Sequence, residues 1–360
     1  MIKSIHIQGF RGISSLKIDD FKKINLFLGQ NNCGKTSILE ALFLIIGISN
    51  PQLPSNINKF RNLLQTESDD FRFIFNKLDF NMNLNITAGF SSGGHRILNI
   101  KPHSPSDSAV NNAQESTQND KAIATTSSKP ELVDGLVFNF SVTKNKKSKS
   151  KNFQSEILLS HGTFTSKSPK SYVETVNGVF VSPKTPYQDL SKNLENMIVT
   201  KQKELIIRTL QLIDPTINDI SLGNNNMIYV DLGYERLVPV NVVGDGILRL
   251  LSLITAISFF KNGIVLIDEI ENGLHYSALK VLWEAIIGVA HQNNVQLFIT
   301  THSKETLENL NYVLKSKNFQ QYQSDTRSFT IRRHDAEKVI SYPYDFEKFD
   351  YSIEQEIEMR

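Results

Sequence analysis

Four short runs of residues bear chemistry. The first is GQNNCGKT, residues 29–36, which follows the apolar run INLFL and precedes SILEALFLIIGIS. Two glycines four residues apart, with a lysine and a hydroxyl residue after the second, match G-x-x-x-x-G-K-[ST]. Glycines let backbone N–H groups turn inward and approach phosphate oxygens with no Cβ in the way. The helix that follows aims its partly positive N-terminus at the same point. Lys35 is then placed to reach the terminal phosphates, and the Thr36 hydroxyl to ligate Mg²⁺. The second run is VLIDE, which puts Asp268 and Glu269 at the C-terminal end of an apolar strand, where ligands bind in open α/β sheets. Asp268 suits a metal shell, and Glu269 suits polarising an attacking water. The third, LFITTHS, ends a second apolar strand in His302, a candidate for contacting the last phosphate or that water. The fourth, KNKKSKSK over 144–151, carries five lysines in eight residues and reads either as a solvated hairpin tip or as a contact to a phosphate backbone.

The elements that must position these groups read as an α/β pattern. Strands are expected over 2–9, 14–19 and 24–28, with a helix after Thr36 that ends at Asn50-Pro51. Residues 56–78 read as irregular helix. Short alternating runs between about 80 and 181 read as a β-rich insertion, and within it the polar, Ser- and Asn-rich stretch 101–131 as a mobile loop. One amphipathic helix is expected over 187–213, and strands around 217–243. A helix from Gly246, a strand over 263–270, a helix over 275–291, the strand 296–301 and a helix after Ser303 complete the pattern. The last residues, DFEKFDYSIEQEIEMR, space Phe346, Phe349, Ile353 and Ile357 along one helix face.

Bulk properties exclude several classes. The chain has 360 residues and a net charge of +2, so no global bias toward nucleic acid or acidic membranes is built in. Its one cysteine, Cys33, leaves no intrachain disulfide and fits a reducing compartment. Cys33 also lies in the glycine loop, where a thiol could serve as a redox sensor, but no resolving thiol exists and a tolerated filler is the plainer reading. No apolar run is long enough to span a bilayer, and the opening MIKSIHIQGFRGI reads as strand and turn rather than a signal peptide, so a soluble cytoplasmic protein with no membrane partner is expected.

Taken in order, these motifs resemble the ABC-type ATPase superfamily, in the branch that holds the RecF, SMC and OLD-like proteins. GQNNCGKTSILEAL is similar to their Walker A and first helix, IKSIHIQGFRGI to the N-terminal strand–FR–turn of the OLD-like group, and VLIDEIENGLH to their Walker B and D-loop. FITTHS is similar to their switch histidine, and NVVGDGILRLL stands where the family signature would be. The resemblance implies one P-loop NTPase domain of ABC type over 1–360, with a parallel or mixed core sheet flanked by helices. Its N-terminal lobe is 1–79, its β-rich insertion 80–185, its signature-bearing lobe 186–335 and its tail 336–360. It implies a nucleotide site of Gly29, Asn31, Asn32, Gly34, Lys35, Thr36 and Ser37, and Arg11 either at the nucleotide or in a structural ion pair. Thr36 and Asp268 would hold Mg²⁺, and Glu269 and His302 would be catalytic. Gly244, Asp245 and Gly246 would act on a partner's nucleotide in an ATP-bridged homodimer or higher oligomer.

The departures shape the expectation. Gly244 replaces the signature serine, His275 replaces the transporter D-loop aspartate, and no Q-loop glutamine stands out. No heptad run exists for an SMC-like arm. Only 58 residues follow His302, too few for the nuclease domain of OLD-like enzymes, so a nuclease or other effector is expected on a separate protein, as in anti-phage defence pairs. The alternative is a RecF-like repair ATPase that binds duplex DNA.

Overall fold

The computed structural model describes residues 1–63, 68–104, 133–160, 163–183, 187–334 and 338–357. The expected mobile stretch 101–131 falls mostly outside them, although 101–103 finish a strand.

Two sheets enclose one helix. The first has seven strands in the order β2-β1-β4-β5-β6-β7-β8: β1 (Ile2–Phe10), β2 (Ile13–Ile18), β4 (Leu84–Phe90), β5 (Gly93–His103), β6 (Gly135–Asn145), β7 (Lys151–Ser160) and β8 (Thr163–Lys167). Every pairing in it is antiparallel. The second has six, in the order β16-β15-β3-β14-β13-β9: β3 (Ile24–Leu28), β9 (Gly178–Val181), β13 (Ile264–Ile267), β14 (Gln296–Thr300), β15 (Thr326–Arg333) and β16 (Val339–Tyr344). It is parallel except for its edge hairpin β15–β16. Between the sheets runs α1 (Lys35–Ile46), apolar on nearly every side as a helix enclosed on all faces must be. Helices α3 (Tyr187–Val199), α4 (Lys203–Gln211), α5 (Asp245–Phe259), α6 (Leu279–Gln292) and α7 (Lys304–Lys315) cover the other face of the parallel sheet; α2 (Leu53–Phe60) lies beside α1, and α8 (Phe346–Glu354) packs on α7.

The near-continuous apolar strands are explained by this burial. In β3, Ile24, Leu26 and Leu28 enter the core under the outer helices while Phe27 enters the core around α1. In β13, Val265 and Ile267 divide from Ile264 and Leu266 in the same way, and in β14 Leu297 and Ile299 divide from Phe298. Phe21, Phe27, Phe298 and Phe329 meet largely edge-to-face, with centroids 5.0–6.3 Å apart.

One expectation is corrected, and two arrangements add to the reading. The alternating runs of 80–181 form strands that join both sheets. β4 pairs with β1 through Ile5↔Ala88 and extends the N-terminal hairpin, while the last of them, β9, crosses to the parallel sheet beside β13. The single helix over 187–213 is two, broken where Lys201 takes φ 60° and Thr200 Oγ1 donates back to the Asn196 carbonyl. The hairpin β15–β16 was not expected. Strands β10 (Asp219–Leu222), β11 (Ile228–Asp231) and β12 (Val238–Pro239) form a small separate sheet before one helical turn, Val240–Val243.

Candidate active site

β3 and α1 are joined by the glycine loop, and the conformations explain the spacing. Gly29 has φ 138°, and a Cβ there would lie 2.3 Å from the Ile331 carbonyl oxygen of β15. Gly34 has φ 107°, caps α1 without a side-chain hydrogen bond, and is followed by no acidic residue in the first turn. The free N–H groups and positive end of α1 are therefore left open to an anion. Lys35 folds back over the loop, its Nζ donating to the Gly29 (2.7 Å) and Gln30 (2.9 Å) carbonyls. Cys33 is buried, with Sγ 3.9 Å from that amine.

The distant motifs meet here. Thr36 Oγ1 lies 3.0 and 3.2 Å from the two Asp268 carboxylate oxygens. Thr300 Oγ1 donates to Asp268 Oδ1 at 2.6 Å and accepts from the Glu269 backbone N–H at 2.8 Å. Glu269 takes φ 46°, an unusual left-handed conformation for a glutamate. That turn resolves the period-2 problem of adjacent strand residues, since both carboxylates border one cleft. The cleft, of about 170 Å³, is bordered by Asn31, Asn32, Gly34, Lys35, Thr36 and Ser37 from the loop and α1, and by Asp268, Glu269, Thr300 and His302 from the parallel sheet's C-terminal edge, with Arg61 at its rim. His302 Nδ1 is 3.1 Å from Glu271 Oε1, which also accepts from the His302 backbone N–H at 2.9 Å.

Charge balance follows from burial. Burial raises the pKa of Asp268, opposed by the hydrogen bonds from Thr300 and Thr36, reinforced by Glu269 and opposed by the charge of Arg61. Burial alone would lower the pKa of Arg61, but hydrogen bonding and charge from Glu40, with Asp268 beyond, leave it raised. Hydroxyl and carboxylate oxygens converging on one point are the donor set a hard divalent ion takes, so Thr36 and Asp268 fit Mg²⁺. Among the described residues no three His, Cys, Asp or Glu side chains converge to hold a metal.

Other expected site residues lie elsewhere. Arg11 does not border the cleft. It has φ 47°, and its guanidinium pairs with the buried Glu40 (2.6 Å) and donates to Asn58 Oδ1 and the Phe73 carbonyl. Burial first, against Glu40 and with Arg61, brings its pKa down to about 10. The ion-pair reading of Arg11 is thus the one the geometry favours. Gly244, Asp245 and Gly246 also stand outside the cleft, at the start of α5. A Cβ on Gly246 would lie 3.5 Å from the Gly273 carbonyl and Leu274, so this segment rests on the chain that leaves Glu269.

Sequence reasoning missed three positioning groups. Arg61 ion-pairs with Glu40 at 2.7 Å and reaches Ser37 Oγ at 3.4 Å. Arg249, buried in α5, donates to the carbonyls of Ser182, Asp268 and Glu269 at 3.1, 2.8 and 3.1 Å. Burial pushes its pKa down to about 10 against the pull of Asp268, Glu271 and Glu269, so it stays charged at neutral pH. An arginine within the apolar helix GILRLLSLI was its available signal. Thr300 was visible in FITTHS, but its role depends on register.

Comparison with known proteins adds lineage to this geometry. A family described as "AAA domain, putative AbiEii toxin, Type IV TA system" matches residues 24–308. The chain is 28% identical to an "ATP/GTP phosphatase" of Helicobacter pylori over 99% of both chains. It is 30% identical to the DNA replication and repair protein RecF of Clostridium acetobutylicum over 28% of this chain and 26% of that protein. The crystal structure of an Smc head domain with an extended coiled coil, bound to the C-terminal domain of ScpA from Pyrococcus furiosus, superposes with a TM-score of 0.50, at 12% identity and 99% coverage of each chain. The fold is the P-loop ATPase fold of SMC heads.

Proposed function

Because the chain belongs to the AAA domain family matched above, we propose that it binds ATP with Mg²⁺, hydrolyses it slowly, and dimerises head to tail around it. The observation that carries this reading is the convergence of Thr36, Asp268, Glu269, Thr300 and His302 beside the open end of α1. Thr36 and Asp268 would hold Mg²⁺, which when bound offsets charge on the phosphate oxygens. Lys35 exchanges its loop carbonyls for phosphate oxygens, keeping its hydrogen bonds while gaining charge pairing. Glu269 takes a proton from the attacking water, and His302, held by Glu271, orients that water or the last phosphate. Arg249 fixes the backbone of Asp268 and Glu269, and so the aim of both carboxylates.

Gly244–Gly246, away from the chain's own cleft, are then available to a second copy's nucleotide. ATP becomes the bridge between protomers, and hydrolysis releases it. The dimer in turn controls a separate effector, a nuclease or another toxic protein, in anti-phage defence. The test is Glu269→Gln, which should bind MgATP like wild type, lose hydrolysis by about 100-fold or more, and accumulate as an ATP-dependent dimer in size-exclusion chromatography with light scattering. Wild-type turnover in that variant would transfer the base role to another residue, and a monomer with ATP bound would refute the bridge.

A second reading, a repair ATPase that binds duplex DNA, is favoured by one feature. The β6–β7 turn exposes Lys144, Lys146, Lys147, Lys149 and Lys151. DNA affinity that falls steeply with salt would favour it.

A further inference from the structure

A second opening adjoins the cleft. About 470 Å³ in volume, it is bordered by Gln30, Asn31 and Asn32 of the glycine loop and by Ile331, Arg332 and Arg333 at the end of β15. Its size is in the range of roughly 300–1,000 Å³ usual for small-molecule sites. Asn31 and Asn32 border both openings, so the two meet along the loop.

Their arrangement follows from strand order. Asp268, Glu269, Thr300 and His302 all follow β13 or lie at the end of β14, on one side of the loop strand β3, and β15 lies on the other side. A nucleoside triphosphate held by its last phosphates against the first group must send its base out of a cleft of about 170 Å³. The opening toward β15 is the one that shares loop residues with that cleft. Its side chains suit a nucleoside. Guanidinium planes stack on aromatic bases, and the amides of Gln30, Asn31 and Asn32 offer donors and acceptors to ribose hydroxyls and base edges. Arg333 is also braced. Its Nη2 donates to the Gly12 carbonyl in the β1–β2 turn at 3.1 Å, and a Cβ on Gly12 would lie 2.6 Å from that nitrogen. Glycine there leaves room for the guanidinium to lie against the turn.

We propose that this opening is the nucleoside subsite, in which Arg332 and Arg333 hold the base and ribose of the nucleotide whose phosphates occupy the cleft. The proposal rests on the ATP reading given above. The test titrates the full chain with two probes, MgATP and magnesium tripolyphosphate, by calorimetry. Wild type should bind ATP at least about ten-fold more tightly than tripolyphosphate. The double variant R332A/R333A should lose that preference and hold tripolyphosphate within about two-fold of wild type. Arg333 also braces a turn, so Arg332→Ala and Arg333→Lys are measured singly, with circular dichroism and melting to show an intact fold. Arg333→Lys keeps the charge but not the planar face, and should weaken ATP alone. Variants that keep the ATP preference, or that lose both probes equally, would overturn the subsite. Wild-type protein that binds tripolyphosphate as well as ATP overturns the subsite and leaves the phosphate reading standing. Binding of neither probe overturns both.

Discussion

Asp268 sets two opposing demands on one carboxylate. Burial raises its folded pKa, so the ionised form is penalised in the folded chain without metal. That penalty is full above the folded pKa and absent below the unfolded value near 3.9. Asp268→Asn should therefore raise the melting temperature of metal-free protein at neutral pH, with the gain disappearing in acid, while abolishing Mg²⁺-dependent hydrolysis. A scan of melting temperature against pH for both proteins checks this. Magnesium affinity should weaken as pH falls through the raised pKa, at higher pH than an ordinary aspartate would give. Lys35→Ala should abolish ATP binding and leave the fold intact, as followed by nucleotide titration and circular dichroism, since its loop hydrogen bonds are partly exposed. These residues were legible because each motif is contiguous. Arg61, Arg249 and Glu271 were not, because their partners lie 19 to 67 positions away and are set by packing.

Between residue and fold, α1 is held at both ends. Arg96 of β5, almost wholly buried, donates to the Ile45 and Ile46 carbonyls at 3.2 and 2.7 Å, capping the helix C-terminus, and pairs with Glu174. Glu40, in the second turn, is shared by Arg11 and Arg61. Arg96→Met should destabilise the protein by about 2–4 kcal/mol, since it takes the guanidinium donor from two carbonyls and the cation from Glu174. Denaturant titration measures this. Arg249→Met should lower kcat far more than it changes KM, because it frees the backbone that aims Asp268 and Glu269. α1, β3, β13 and β14 could be read from apolar runs bounded by glycine or proline. The hairpin β15–β16 could not. TRSFTIRR alternates polar with apolar residues and ends in charges, so nothing local showed that it would lie parallel to β3 with Ser328, Thr330 and Ile331 buried.

At the scale of the whole molecule, charge and order of assembly matter. Asn145 pins the β6–β7 turn through the Lys147 backbone N–H and the Ser148 hydroxyl, with the five lysines in solvent, as a solvated hairpin tip requires. Replacing the five by Gln should flatten the salt dependence of any DNA or RNA binding, measured by filter binding at several salt concentrations. Unchanged binding would mark the tip as ordinary surface. Among the described residues no helix is long and apolar enough to cross a membrane. The sequence outlined the α/β class and the order of its motifs, but not that β1, β2 and β4–β8 would form one sheet, since pairing partners far apart leave no local trace. β3 lies between β14 and β15, and the Ile2 backbone is bonded on both sides by the side chain of Gln296. During synthesis at about 5–20 residues per second, the INLFL strand would wait roughly fifteen seconds to a minute for its neighbours to be made. The nascent chain thus lacks a complete cleft for most of its translation. Until β14 and β15 emerge, the apolar strand lacks both its neighbours, so slow folding and chaperone capture of the nascent chain are the expected outcomes.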